Sequence, residues 1–184
     1  MRFSDFLRTT VLLSLAAATA LAAVTVAGAA AQGEGLVVAV GGAWWLIAGA
    51  TGGWLGRRTA TSAPIATLLA SARTQASLPE LSPGRILLNR LWPLLLSTVG
   101  AGAVAFLVPQ VPAVAAGFAV VWALAWRHQA SAVTAIEERD GARFYIAPTS
   151  PLQPIALVRT PGFRSNRFEL SGSADLDNRV RPRA

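Results

Sequence analysis

The sequence predicts an all-α polytopic membrane protein: four transmembrane helices as two hairpins, both termini cytoplasmic, and a small cytoplasmic C-terminal tail. Three observations lead there. Of 184 residues, 53% are hydrophobic and only 14% are charged, against about a quarter charged in an ordinary soluble domain. Charge-free runs of 25, 22 and 36 residues separate Arg8 from Glu34, Glu34 from Arg57, and Arg90 from Arg127. The 16 basic residues are all arginine, and one topology gathers every one of them on the same side.

A helix rises about 1.5 Å per residue, so crossing a hydrocarbon core of ~30 Å takes roughly 20 apolar residues. The first two runs each fit one span. The third fits two short spans, divided at Val108-Pro109-Gln110-Val111-Pro112, where proline stops one helix and starts the next. The expected spans are therefore Thr9 to Ala31, Leu36 to Gly56, Leu91 to Val108, and Pro112 to Trp126. Helices are favoured over an open sheet because backbone groups in lipid must pair internally.

Arginine sets the orientation. Arg2 and Arg8 precede the first span, and Arg57, Arg58, Arg73, Arg85 and Arg90 lie between the second and third. Nine more, from Arg127 to Arg183, follow the fourth, and the two short connections hold none. Positive-inside bias places both termini and the long loop in the cytoplasm. The chain then divides into a cytoplasmic N-terminus (1–8), a first hairpin (9–56), a cytoplasmic loop (57–90), a second hairpin (91–126), a partly ordered tail (127–170) and a disordered end (171–184). Trp54, Trp92 and Trp126 fall at the cytoplasmic ends of their helices, as an interfacial belt would. Exclusive arginine usage and abundant alanine point to a GC-rich bacterial genome, hence to a bacterial inner membrane. A cleavable signal peptide is the competing reading of residues 1–31. The apolar run there is longer than the roughly 7–15 residues of a signal-peptide core, which favours a retained helix.

Within the second span, Gly49 and Gly53 lie four apart on one face, a small-xxx-small pattern for close helix packing. Packing among the four helices of one molecule is the expectation, with contact to another subunit as the alternative. Trp44 and Trp45 are adjacent and point about 100° apart, so they are not expected to bury in one contact. One should fill the bundle core and the other face lipid or a partner. The alternative makes them the wall of a pocket for an apolar ligand.

The spans hold no Asp, Glu, His, Lys or Arg, the groups on which proton- and ion-coupled transporters depend. With no Cys and one His, thiol chemistry, disulfides and a metal site are not expected, and neither is a cofactor. Asp140-Gly141-Ala142-Arg143 resembles part of the signature of membrane CDP-alcohol phosphotransferases. That family separates its Asp-Gly and Ala-Arg pairs by two residues and adds further aspartates, so the resemblance is not carried over. Glu80, Glu137, Glu138 and Asp140 are expected to be solvated, which leaves no enclosed site for an enzyme.

On the cytoplasmic side, Ile65, Leu68, Leu69 and Ala72 follow Pro64 at helical spacing, the pattern of a short amphipathic helix on the inner leaflet. Ser82-Pro83 reads as a cap and first helical position, so the third helix should begin before the bilayer. Arg57, Arg58, Arg85, Arg90 and Arg127 are expected to contact anionic lipid. The fourth helix either continues to Asp140 and stops at Gly141, or gives way to a strand over 132–138. Two strand-like runs, Ala142–Ala147 and Ile155–Val158, offer a small β-hairpin. Interleaved Phe163, Arg164, Arg167 and Phe168 read as membrane-surface contact, not nucleic-acid binding, because the net charge of the tail is only modestly positive. The expected partners are the lipid bilayer and a membrane protein or a second copy of the chain. The expected role is a non-enzymatic accessory or structural subunit of a membrane assembly. The alternative is a transport protein, as an oligomeric pore or a passive exporter of an apolar small molecule.

Overall fold

Helix α1 runs unbroken from Phe3 to Gln32 because nothing in its Ala- and Leu-rich sequence interrupts it before its last turn. It ends where Gly33 adopts φ 70°, a left-handed cap whose N–H closes on the carbonyls of Ala29 and Ala30. In a computed structural model that describes residues 1–57, 61–74, 83–147 and 153–161, the later elements are α2 (Gly35–Leu55), α3 (Ala63–Ala70), β1 (Arg73–Thr74), α4 (Pro83–Ala103), α5 (Gln110–Trp126), α6 (Gln129–Asp140), β2 (Ala142–Ile146) and β3 (Leu157–Pro161). Among the described residues, four segments are long and apolar enough to cross a membrane: Phe3–Gln32, Gly35–Leu55, Gly84–Ala103 and the stretch Gln110–Asp140 that joins α5 and α6. The protein is mostly helical and compatible with a multi-pass membrane protein.

The end of the third helix differs from expectation. The third helix begins at Pro83 and ends at Ala103, five residues before Val108, so Pro109 does not terminate it. Gly100 and Gly102 weaken its last turn, and Val104–Leu107 leave the helix through turns before α5 begins. Starting that early also places Pro93 inside α4, where its missing N–H leaves the Asn89 carbonyl without its usual helical donor. At the other end of the chain, Gly141 has φ 58° and caps α6 through the Glu137 carbonyl, so 132–138 is helix and not strand.

The bundle is organised around α5, which packs extensively against both α1 and α2, whereas α1 and α2 scarcely touch each other. Small residues make this possible. A Cβ at Gly28 would lie 2.6 Å from the Ala105 carbonyl oxygen, and one at Gly52 would lie 2.9 Å from the Cα of Val121. A Cβ at Gly56 would collide with the Leu124 carbonyl. Ala48, Ala113, Ala116 and Ala123 complete the closely packed seam, each buried. At one end of the bundle the two turns meet: Gln32 Nε2 donates to the Phe106 carbonyl at 2.7 Å, and Gln110 Nε2 donates to Glu34 Oε2 at 3.4 Å.

At the opposite, arginine-rich end a second core forms from segments far apart in sequence. Phe3, Phe6 and Leu7 of α1 join Ile65 of α3, Ile86 and Leu91 of α4, Val133 of α6, and Phe144, Ile146 and Leu157 of the strands. Strand β3 lies between β2 (antiparallel) and β1 (parallel), giving the order β1-β3-β2. The outer edge of β2 is not left bare. Arg2 forms an antiparallel bridge with Tyr145, and the Ile146 N–H donates to the Met1 carbonyl at 3.3 Å.

This core corrects one expectation. The apolar face of α3 does not lie bare on a leaflet: Ile65 is 1% exposed, and Leu68, Leu69 and Ala72 pack against the same cluster. The face is covered because the sheet and the first turns of α1 and α4 supply protein surface where lipid was expected. Ser62, which caps α3, donates its backbone N–H to Gln129 Oε1 at 2.9 Å and so ties α3 to α6.

Candidate functional site

Trp44 and Trp45 project from the middle of α2 toward α5, and both, half-buried, hydrogen-bond to that same helix, contrary to the expectation that they would not share one contact. Trp45 Nε1 donates to the Ala113 carbonyl at 2.8 Å, and Trp44 Nε1 donates to the Val114 carbonyl at 3.3 Å. Their 100° divergence does not separate them because they straddle one backbone. A helix carbonyl points toward residues i+3 and i+4, and Gly117 occupies those positions for Val114 and Ala113. With no side chain there, both carbonyls keep a lone pair open to an indole donor. The Trp44 ring lies over Gly117, where a Cβ would collide with it, and meets Phe118 edge-on with ring centroids 5.5 Å apart. In an apolar medium an unpaired indole N–H is costly, so these bonds explain how two tryptophans reside this far from the ends of the helix.

Trp44 also borders a groove of about 240 Å³ between α2 and α5, together with Val37, Val40, Gly41, Gln110 and Val114. Trp45 does not line it. The groove is almost wholly apolar, and its polar member, Gln110, already reaches Glu34.

Gly49 and Gly53 lie off the seam: nothing stands within 4 Å of a Cβ built at either position. From this segment the close approach to α5 is made by Gly52 and Gly56. The spacing of four was legible in sequence, but Gly52 and the cap residue Gly56 stand at the same spacing.

The second candidate is a polar cleft of about 490 Å³ at the arginine-rich end, between the first turns of α1 and the outer face of α6. Arg2, Arg8 and Arg127 line it with Asp5 and Glu138, and Ser131 and Thr134 form part of its wall. Arg8, Asp5 and Glu138 are exposed and form no ion pair among the described residues. Arg127 donates from Nε to Nε2 of His128 at 3.0 Å. Arg2 has a buried Nε with no acceptor, although its Nη2 is engaged.

That engagement is with Glu137, which is 4% exposed and so not solvated as expected. One carboxylate oxygen accepts from Arg2 Nη2 at 2.9 Å and the other from the Phe144 backbone N–H at 2.9 Å. Glu137 follows Val133 by one helical turn on the face of α6 that meets the core, and these two donors compensate its burial. Both oxygens are thus engaged in contacts that hold the N-terminus, α6 and β2 together. Glu138 and Asp140 are exposed, and Asp140 pairs with Arg139 at 2.8 Å. Asp140 and Gly141 end a helix while Ala142 and Arg143 open a strand, so that tetrapeptide serves a turn. No group of three metal-ligating side chains occurs among the described residues.

Of the arginines expected at lipid, Arg57, Arg85 and Arg127 are exposed. Arg90 is half-buried and donates to the Gln153 carbonyl, tying α4 to the approach to β3. Trp54 and Trp92 are exposed, whereas Trp126 is half-buried and stacks on Trp122 at 5.0 Å. Arg58, Glu80, Ser82, the Phe163–Phe168 motif and the whole 171–184 segment lie outside the described residues.

Taken together, four membrane-length helices with an apolar groove and a charged cleft at one end define a mostly helical protein compatible with repeated membrane crossing. No family model, curated protein or solved structure matches the chain.

Proposed function

We propose that this protein is a non-enzymatic accessory or structural subunit of a membrane assembly, seated in a bacterial inner membrane with both termini cytoplasmic. The observation that carries this reading is how the polar groups of the spans are used. Trp44 and Trp45 bond to α5, Thr25 and Thr98 bond back to Leu21 and Leu94, and Gln32 holds Phe106. Such bonds serve helix packing and leave little with which to handle a polar substrate. In this reading α1 is retained: it packs along α5, and its Arg2 compensates buried Glu137. Intact-mass measurement checks that part, since cleavage near Ala31 removes the whole helix.

The test is purification in mild detergent at native expression. A defined membrane-protein partner, or a defined oligomer of this chain, is the expected result. A monodisperse monomer under those conditions counts against the proposal.

A second reading, a transport protein for an apolar small molecule, is favoured by one observation: Trp44 lines the apolar groove. Flux of an apolar dye in liposomes that hold the purified chain alone, lost in Trp44→Ala, would replace the first reading with this one.

A further inference from the structure

We propose that the cleft at the arginine-rich end binds the headgroup of a zwitterionic aminophospholipid, with the phosphate against Arg8 and Arg127 and the ammonium against Asp5 and Glu138. The inference takes the chain to be a membrane protein but does not depend on its being a subunit.

Depth is the first argument. Arg8 is the last charged residue before the 25-residue charge-free run of α1, and Arg127 is the first after the run that contains α5. Both therefore mark the polar boundary of their spans, the level of a phosphate headgroup. The cleft they line is about 490 Å³, within the roughly 300–1,000 Å³ of small-ligand sites.

Below the cleft the same face of α1 stays open. Asp5, Arg8, Leu12, Leu15 and Thr19 are all exposed and follow one another at alternating spacings of three and four. A ligand held by Asp5 and Arg8 thus continues onto an apolar stripe along the span, with Leu12 59% exposed. That shape suits a headgroup with attached acyl chains better than a free ion.

Charge selects the headgroup. Arginine forks match phosphate oxygens, and Arg8 is exposed with no acidic partner among the described residues. Yet Asp5 and Glu138 share the cleft and pair with no described cation. A headgroup bearing only negative charge would bring its phosphate beside two uncompensated carboxylates, a like-charge contact that discriminates against it. A phosphate joined to a primary ammonium satisfies both sets at once.

Native mass spectrometry of the full chain in detergent tests this. Equimolar phosphatidylethanolamine and phosphatidylglycerol compete in one arm, and water-soluble glycerophosphoethanolamine is added alone in another. The expected result is preferential retention of phosphatidylethanolamine, with weak binding of the soluble headgroup. Arg8→Gln with Arg127→Gln should lower that retention about tenfold, the change expected from losing a charge-assisted contact. Asp5→Asn with Glu138→Gln should abolish the preference over phosphatidylglycerol while leaving lipid bound. These positions are exposed, and an unchanged melting temperature confirms that each variant folds. Equal or stronger retention of phosphatidylglycerol by the unaltered protein overturns the proposal, as does indifference of retention to the arginine pair. Equally tight binding of the soluble headgroup overturns its assignment to a lipid.

Discussion

Arg2 and Glu137 stand 135 positions apart in the chain, yet the guanidinium Nη2 of one lies 2.9 Å from the carboxylate of the other. The pair joins the start of the first helix to the last turn of α6. A third group, the Phe144 N–H, completes the carboxylate and fixes the first residues of β2 against the same point. The N-terminus is thereby a structural part of the C-terminal unit.

Removing one side of this pair should cost more than an ordinary surface ion pair. Breaking a fully buried pair costs about 3–5 kcal/mol and an exposed one under ~1. With Glu137 buried and Arg2 partly exposed, Glu137→Ala should destabilise by about 2 kcal/mol, between those limits. Thermal unfolding of the purified protein measures it. Adding Arg2→Ala to the variant should cost little more, because the partner is already lost.

The glycines of α2 should divide sharply under substitution. Gly52→Ala forces a methyl to within 2.9 Å of the α5 backbone, and overpacking of this kind costs about 1–3 kcal/mol. Gly53→Ala and Gly49→Ala place the same methyl in open space and should leave the monomer as stable as before. Loss of a defined oligomer in Gly49→Ala or Gly53→Ala, with an unchanged monomer, would show that their face meets another subunit.

Ile65 reports on whether α3 is held by protein or by lipid. Ile65→Ala should lower stability by about 2–5 kcal/mol, the range for emptying a packed core site. A helix that merely floated on a leaflet would lose membrane affinity instead, with melting unchanged.

Sidedness is testable directly because the chain has no cysteine. Glu34→Cys, in the turn between α1 and α2, should react with an impermeant thiol reagent added outside intact cells. Arg143→Cys, at the exposed position of β2, should react only after permeabilisation. The reverse pattern would invert the topology that the arginines imply.

Much of the helical plan could be read in advance because charge is expensive in hydrocarbon, and its absence over 25 or 22 residues is a strong local signal. Gly33 and Gly141 end their helices for an equally local reason: only glycine takes a positive φ at no steric cost. Where expectation failed, the cause was a neighbour distant in sequence. Trp44 and Trp45 seemed incompatible until α5, with Gly117 bare between two carbonyls, lay across both. Glu137 looked solvated in a charged tripeptide, and nothing nearby in the chain foretold Arg2. The strand at Arg73–Thr74 is too short to announce itself and exists only because β3 has a free edge.

Low charge, its confinement to the intervals between apolar runs and the all-arginine bias were enough to set the number of membrane-length helices and to propose their direction. Those properties follow from the solvation of each segment taken singly. Which glycine packs, which carboxylate is buried and which arginines share a cleft with Asp5 and Glu138 were decided only when the helices and the small sheet came together. Such contacts depend on pairs of surfaces, and periodicity along one segment carries no information about the segment that will face it.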